Sequence, residues 1–583
     1  MSSTLVNWMD WNPGLFEKAK AEHKPVLLAI SASWCHWCHV MDRTTYADPK
    51  VVSQINSRTI PVRVDADRRP DLDHRFNMGG WPTVAFLTPE QEIIAGATYL
   101  PPEEFLALLD AAEQAYRTGV HAPRPSGYTK TPVMDVAEPL TTTLHEALAL
   151  YDPQYGGFGT QPKFPHAELL RWLLVRYINT SDQRLRELLT NTLDAMAQGG
   201  IRDNKRGGFF RYSTKRDWSV PHFEKMLNDN CALASLYMDA SIALVRPQYR
   251  EVAKSTIDYL LNTLYMQEYQ GFAGSQAADE RYYKGEKSQP PPIDRVIISG
   301  WNAMASTTLL KAYAFFRDEG FQELATGLLD SIFEKMFSED MGIARFFEGE
   351  TQAPNVRPYM LEDNALVLLA CIEAYQATRQ KLYISRAKSI AKLIRTVYTD
   401  SETGLLKDVV GQEGLQTRTP LAENSLAAQA LIRLSRLDQD ENRSAPSDFD
   451  FAAGLLKSLA YEASRSGIFA AEYCIAAEEL SGCHVEIAVV GNQSDPRTKE
   501  LRFAALTVPV FPKTTLLLDI ATDADTIALK GYPALDKPVA YVCVNRTCAP
   551  PVATPEELVE LVSKSRDPAT QGNSSRSEAS RQL

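Results

Sequence analysis

Between residues 133 and 476 a glycine followed by Phe, Ile or Leu recurs six times, as Gly157-Phe158, Gly208-Phe209, Gly271-Phe272, Gly342-Ile343, Gly404-Leu405 and Gly467-Ile468. Successive glycines stand 51, 63, 71, 62 and 63 residues apart. Each step holds two helices with their loops, and a period of that length marks a repeat architecture. The intervening segments, such as Leu169 to Val175, Cys231 to Met238 and Ala365 to Ile372, carry the apolar spacing of amphipathic helices. Six helical hairpins closed in a ring make an (α/α)6 toroid whose inner helices enclose a central cavity. That all-α body is the expectation for residues 133–476. The plainer reading is that glycine ends helices wherever it occurs; the regular steps favour the repeat.

Both flanks have a different texture. Residues 1–118 alternate short apolar runs with helical segments: Pro25 to Ile30, Thr59 to Val64, Thr83 to Leu87 and an edge run at Glu92 to Gly96. Pro102, Glu103 and Glu104 then open a helix, placed where a first turn lacks hydrogen-bond partners and favours negative charge. This βαβαββα order predicts a small sheet with helices on its faces. A linker is expected over 119–132. Residues 477–565 carry strand runs again, at His484 to Val490, Thr515 to Asp519 and Val539 to Val544, followed by a capped helix from Thr554. They predict a small C-terminal α/β subdomain. Residues 566–583 are rich in Ser, Arg and Gln and are expected to be a disordered tail.

Charge and cysteine content narrow the function. With 61 Lys and Arg against 73 Asp and Glu, the net charge of −12 disfavours a nucleic-acid partner, which needs clustered cations. No apolar run is long enough to span a bilayer, so no membrane partner is expected. No basic region followed by an apolar stretch opens the chain, and eight Cys in 583 residues are no disulfide scaffold; a reducing, cytoplasmic location is expected.

The sharpest motif is Trp34-Cys35-His36-Trp37-Cys38-His39, directly after the first predicted strand. A thiol at the start of a helix faces unpaired N–H groups and the positive end of the helix dipole, so its thiolate is favoured. The second thiol, one turn on, is placed to attack a mixed disulfide and release the substrate. Gly79-Gly80-Trp81-Pro82-Thr83 precedes another strand; Pro82, if cis, sets a backbone edge beside the sulfurs. Three rival readings stay open: covalent haem attachment, a metal held by Cys35, His36, Cys38 and His39, and two buried inert thiols.

These residues resemble the thioredoxin superfamily, and specifically the thioredoxin-domain-containing family typified by spermatogenesis-associated protein 20 and its bacterial relatives. The resemblance runs along nearly the whole chain, through Ser33 to Met41, Val64 to Pro70, Gly79 to Pro82, Tyr151 to Gly159, Pro162 to Pro165, Val220 to Leu227, Leu361 to Asp363 and Tyr541 to Cys543. It implies a thioredoxin-like domain joined to a six-hairpin, glycosidase-like toroid. Two departures matter. Ala29 stands where thioredoxins keep a buried Asp, and His36-Trp37 separates the sulfurs, where a cationic His would make the pair more oxidising. The loop before Gly79 is also shorter than the resemblance implies.

In the toroid, polar residues gather at the glycine-marked loops. His222, Glu224, Lys225 and Asp229 form the densest group, with Lys225 and Asp229 expected four apart on one helix starting near Pro221. Asp152, Lys163, His166, Asp203, Arg211, Trp301-Asn302, Glu362-Asp363 and Glu423-Asn424 mark other loops. Two carboxylates across a cavity can serve as acid and base on a glycosidic bond, and Trp218 and Trp301 can stack on a sugar ring. The same residue types also cap helices and pair on surfaces.

Three functions follow. In the first, Cys35 is an exposed attacking thiol and Cys38 a buried resolving thiol of a thiol–disulfide oxidoreductase or redox sensor, Pro82 lies beside them, and the toroid binds a carbohydrate-like ligand or partner. In the second, the toroid is a glycoside hydrolase or sugar epimerase regulated by the thioredoxin-like domain. Its acids Glu224, Asp229, Glu362, Asp363 and Glu423 then converge on one cavity. In the third, the chain is a non-catalytic binding scaffold. The expected partner is a protein disulfide or a sugar-like small molecule. No cofactor and no resident metal are expected.

Overall fold

The apolar run Val26–Ser31 (β1) is the strand about which the N-terminal domain is built. In this computed structural model, residues 5–119, 132, 134–349, 357–412, 417–437, 447–533, 535–544 and 547–564 are described. The expected linker, apart from Gly119 and Pro132, and the expected tail lie outside the described residues.

The N-terminal order is α1 (Gly14–Glu22), β1, α2 (His36–Arg43), α3 (Pro49–Arg58), β2 (Ile60–Asp65), α4 (Pro70–Phe76), β3 (Thr83–Leu87), β4 (Ile93–Ala97) and α5 (Pro102–Thr118). The sheet order is β2-β1-β3-β4, with β1 parallel to β2 and antiparallel to β3. Because side chains alternate along a strand, Leu27, Ala29, Val84 and Phe86 pack with α2, α3 and α5, while Leu28, Ile30, Val62 and Ala85 face the other way. That second face is continuous with the core of the helical body. One apolar core therefore joins the two, and the domain is not on a free tether.

The helical body is the expected ring. Its inner helices are α7 (Ala167–Thr180), α9 (Leu227–Ala243), α12 (Ser299–Phe316), α14 (Leu361–Thr378), α16 (Leu421–Leu437) and α18 (Ala471–Ser481). Each packs on the next, and α18 returns to α7. Around them lie α8 (Gln183–Gln198), α10 (Tyr249–Tyr259), α13 (Glu319–Met336), α15 (Lys381–Leu393) and α17 (Asp448–Arg465). Helix α6 (Glu138–Leu150) packs on α17 and α18, so the sixth hairpin is closed by helices from opposite ends of the segment.

The recurring glycine has a physical cause. Gly342 has φ +92°, and a Cβ there would lie 2.3 Å from Asn364 Oδ1. That oxygen accepts the Ile343 N–H at 2.8 Å, while Asn364 Nδ2 donates to the Ile343 carbonyl at 3.1 Å and to the Met360 carbonyl at 2.8 Å. Asn302 holds Phe272 and Asn424 holds Leu406 in the same way. The loop backbone is thus tied to the first turn of the inner helix, and at Gly342 a side chain would obstruct the tie. The last repeat differs: Gly467 opens a short 3-10 turn, Gly467–Ala470.

The C-terminal subdomain repeats the N-terminal strand plan. Strands Val485–Val490, Lys513–Leu518, Val539–Val544 and Thr547–Cys548 give one parallel pairing, then two antiparallel ones, in the same spatial order as β1 to β4. Helices Pro496–Thr507, Ala524–Leu529 and Pro555–Lys564 follow its strands. Across its last hairpin Cys543 and Cys548 face each other and are joined by a disulfide. The sequence expectation read both as part of a reduced set; their register, visible only in the paired sheet, makes them partners. No helix among the described residues is long and apolar enough to cross a membrane.

Candidate functional site

Cys35 is the N-cap of α2. Its backbone is extended, and its sulfur accepts the Cys38 N–H at 3.3 Å. Both cysteines are free thiols. A thiol–thiol hydrogen bond from the Cys38 side chain, with the Cys38 N–H adding, holds the Cys35 thiol below its ordinary range, against burial and the charge of Glu224. The same hydrogen bond, with burial, pushes Cys38 far upward. The two sulfurs are thereby split: Cys35 ionises first and Cys38 keeps the proton. The Trp81–Pro82 peptide is cis, and Pro82 lines a small cavity with Cys38.

Two expectations are corrected here. Cys35 is not exposed: only 5% of its surface and 3% of that of Cys38 meet solvent. Nor is His36 favoured as a cation between the sulfurs, since desolvation and the neighbouring His222 hold its imidazole below the usual range.

A carboxylate of α2, Asp42, lies near Cys38. Asp42 shares with Cys38, Ala29, Tyr46, Arg63 and Pro82 a cavity of about 10 Å³, the size of one water. Arg63 holds Asp42 by two hydrogen bonds of 2.8 Å. The sequence reading missed Asp42; its place one helical turn after Cys38 was the available signal.

The toroid meets the two tryptophans beside the thiol pair. Arg211 lays its guanidinium 4.4 Å from the Trp34 ring and 5.1 Å from the Trp81 ring. It lies 3.7 Å from Glu224, which also pairs with His222. His222 stacks on Tyr212 with ring centroids 5.0 Å apart. Further contacts seat the N-terminal domain on the ring's mouth. Ser33 Oγ donates to Asp294 at 2.5 Å, Arg75 pairs with Asp408 at 2.9 Å with both buried, and Arg418 donates to the His74 carbonyl at 3.0 Å. Trp34 Nε1 donates to Asp67 at 2.8 Å, and Arg345 donates to the Asp67 carbonyl at 3.0 Å.

Beneath this seat the predicted acids gather. Asp229, Glu362, Asp363 and Glu423 stand in the first turns of α9, α14 and α16, where a helix favours negative charge. Burial pushes Asp229 up to about 7, with Glu168 and Glu224 adding to it. Burial likewise takes Asp363 and Glu423 to about 7, each with Glu362 adding. Glu472 at the start of α18 is raised by burial and by Glu168. Each of these carboxylates feels at least one other acid. Glu168 and Glu472 were not singled out from the sequence, although they occupy the same helix-start position as the others.

Other candidates are structural. Lys225 is not on a helix with Asp229: it lies in the short strand Lys225–Met226, fully buried, and donates to Asp203 at 2.9 Å. Lys163 does the same with Asp152 at 2.8 Å. Trp218 is buried against Lys163, with its Nε1 donating to the Tyr155 carbonyl, so it cannot stack on a sugar. Trp301 is buried, with the Arg345 guanidinium 5.8 Å from its ring. Asn302 and Asn424 are consumed by the loop ties. His166 is held below its usual range by burial and packs among Phe158, Phe164 and Phe469. Among the described residues no three His, Cys, Asp or Glu side chains come together as a metal site.

Fold and site together define a thioredoxin-like domain seated on the mouth of a six-hairpin, glycosidase-like toroid. Residues 1–121 match the thioredoxin-like DsbH family model, described as "Protein of unknown function, DUF255". The chain is similar to spermatogenesis-associated protein 20 of Homo sapiens, 33% identical over 315 residues, covering 48% of this chain and 40% of the relative. It is also similar to the uncharacterized protein B0495.5 of Caenorhabditis elegans, 25% identical over 479 residues, covering 68% of this chain and 63% of the relative. The match thus spans about 40% of the length of the mammalian relative. Among solved structures, cellobiose 2-epimerase from Spirochaeta thermophila aligns with 59% of this chain and 94% of its own, at a TM-score of 0.49 and 15% identity.

Proposed function

We propose that this protein is a thiol–disulfide oxidoreductase or redox sensor, with Cys35 as attacking thiol, Cys38 as resolving thiol and the toroid as the body that recognises the ligand or partner. The asymmetry of the sulfur pair carries this reading: one thiol is lowered by the hydrogen bond that raises the other. The Cys35 thiolate attacks one sulfur of a disulfide; that S–S bond breaks, and the departing thiolate takes a proton. Cys38 then gives its proton toward Asp42 across the water-sized cavity and attacks the Cys35 sulfur. The Cys35–Cys38 disulfide closes, the second thiolate leaves, and two electrons have passed to the substrate. The test is to trap a mixed disulfide at Cys35 with Cys38→Ser and to titrate the reduction potential of the wild-type pair. No trapped species and no titratable couple would reject the reading.

The gathered carboxylates favour one second reading, a carbohydrate-active toroid. A cluster of carboxyls with unequal proton affinities can hold an acid and a base at neutral pH. Turnover of a sugar panel that is lost in Glu224→Gln supports it; no turnover of any sugar counts against it.

A further inference from the structure

Six of the eight cysteines are free thiols, and the other two form the Cys543–Cys548 disulfide. That bond joins residues only five apart in sequence. A cross-link restrains the unfolded chain less the shorter the loop it closes, so this one is poorly placed to act as a staple. The backbone already holds its strands in register. Ala540 and Val552 exchange hydrogen bonds of 2.8 and 3.0 Å, and the Ala549 N–H donates to the Val542 carbonyl at 3.0 Å. The two cysteines therefore stay opposite each other whether or not their sulfurs are joined, which is what a reversible couple requires.

The two sulfurs stand in different surroundings. Thr547–Cys548 is the outer strand of its sheet, and both residues are exposed. Cys543 is buried in the cluster of Ala488, Leu518, Tyr532 and Tyr541. The Tyr532 hydroxyl lies 3.8 Å from Cys543 Sγ and donates to Glu486 at 2.5 Å, and Lys530 Nζ donates to Glu486 at 2.9 Å. One end of the bond thus meets solvent, and the other has a hydroxyl donor within reach. An incoming thiolate attacks the accessible sulfur, and the sulfur whose developing charge finds a donor leaves. The exposed end is a strand of two residues, which offers a protein partner little to hold and a small thiol an open path.

We propose that Cys543–Cys548 is a second dithiol–disulfide couple, opened and closed by low-molecular-weight thiols of the glutathione type and separate from Cys35–Cys38. A first thiolate attacks Cys548 Sγ; the S–S bond breaks, and Cys543 leaves beside the Tyr532 hydroxyl and takes a proton. A second thiolate attacks the small-molecule sulfur of the mixed disulfide; Cys548 leaves and is protonated. Two small thiols have become one disulfide, and two electrons and two protons have passed to the protein. The small disulfide, as oxidant, runs the same steps backward and closes the bond.

The test uses the unaltered full-length protein, kept folded, in buffers of varied glutathione to glutathione disulfide ratio. Quenched alkylation and peptide mass spectrometry read Cys543 and Cys548 on a peptide separate from that of Cys35 and Cys38, so a failure at either pair is told from a failure at the other. The bond is expected to open as glutathione rises and to re-form as its disulfide rises, with the circular dichroism spectrum unchanged. The transient intermediate is expected to carry glutathione on Cys548 and the alkyl label on Cys543. Opening only in urea that unfolds the chain, failure to close under glutathione disulfide, or glutathione found on Cys543 overturns the proposal. Opening by reduced thioredoxin, a protein dithiol, but not by glutathione overturns it as well.

Discussion

Asn230 holds the Phe209 peptide unit from both sides: its Oδ1 accepts the Phe209 N–H at 2.6 Å and its Nδ2 donates to the Phe209 carbonyl at 3.0 Å. A third bond runs from Nδ2 to the Met226 carbonyl at 2.7 Å. Asn230 is fully buried, so nothing else in reach satisfies these backbone groups if it is removed. Asn230→Ala is expected to cost about 3 kcal/mol, from leaving a buried N–H and C=O unpaired. Urea denaturation followed by circular dichroism measures it. Asn230→Asp, which keeps the acceptor, is expected to lose less.

The Cys35 thiol owes its low range chiefly to Cys38. The rate of Cys35 alkylation by iodoacetamide is therefore expected to rise through a midpoint below the ordinary thiol value of 9.0. In Cys38→Ala the midpoint moves upward. An unchanged midpoint means that the hydrogen bond is not what tunes the thiol.

Asp42 is placed to take the Cys38 proton through one water. Asp42→Asn is expected to leave the first attack by Cys35 intact and to prolong the mixed disulfide by about a hundredfold, the low end for loss of a general base. Rapid-quench mass spectrometry separates the two steps. Equal lifetimes in variant and wild type remove Asp42 from the mechanism.

Asp229 stays protonated up to about 7 in the fold, against an ordinary value of 3.8. Between those values the folded chain binds more protons than the unfolded one, so this residue makes stability fall as pH rises. Asp229→Asn removes the effect. Thermal melts are expected to show little difference at pH about 3 and a more stable variant at pH about 8. A gap that does not widen with pH contradicts the burial of this carboxyl.

The Cys543–Cys548 disulfide is countable. Thiol titration of the denatured, unreduced protein is expected to find the six free cysteines, and titration after reduction all eight. Eight thiols without reduction mean that this bond is not present in the isolated protein.

Much of this molecule is written in local sequence. The glycine period marks six hairpins, and at Gly157, Gly208 and Gly342 a packed ring or an asparagine leaves no room for a Cβ. The apolar runs become strands within a residue or two, and Cys35 and Cys38 are marked by their place between a strand and a helix. Such features are local because backbone conformation and side-chain periodicity are local. Four acids, Asp229, Glu362, Asp363 and Glu423, were also legible as residue types at helix starts.

Tertiary structure decided the rest, since packing brings together residues hundreds of positions apart. It set Arg211 over Trp34 and Trp81 and left Cys35, expected to be exposed, buried. It withdrew Lys163, Lys225, Trp218, Asn302 and Asn424 from any cavity by giving each a buried partner. It joined Cys543 to Cys548 through strand register. A lone residue's chemistry is fixed by its type, but whether that chemistry is free to act depends on which neighbours satisfy or desolvate it, and only the folded chain supplies those neighbours.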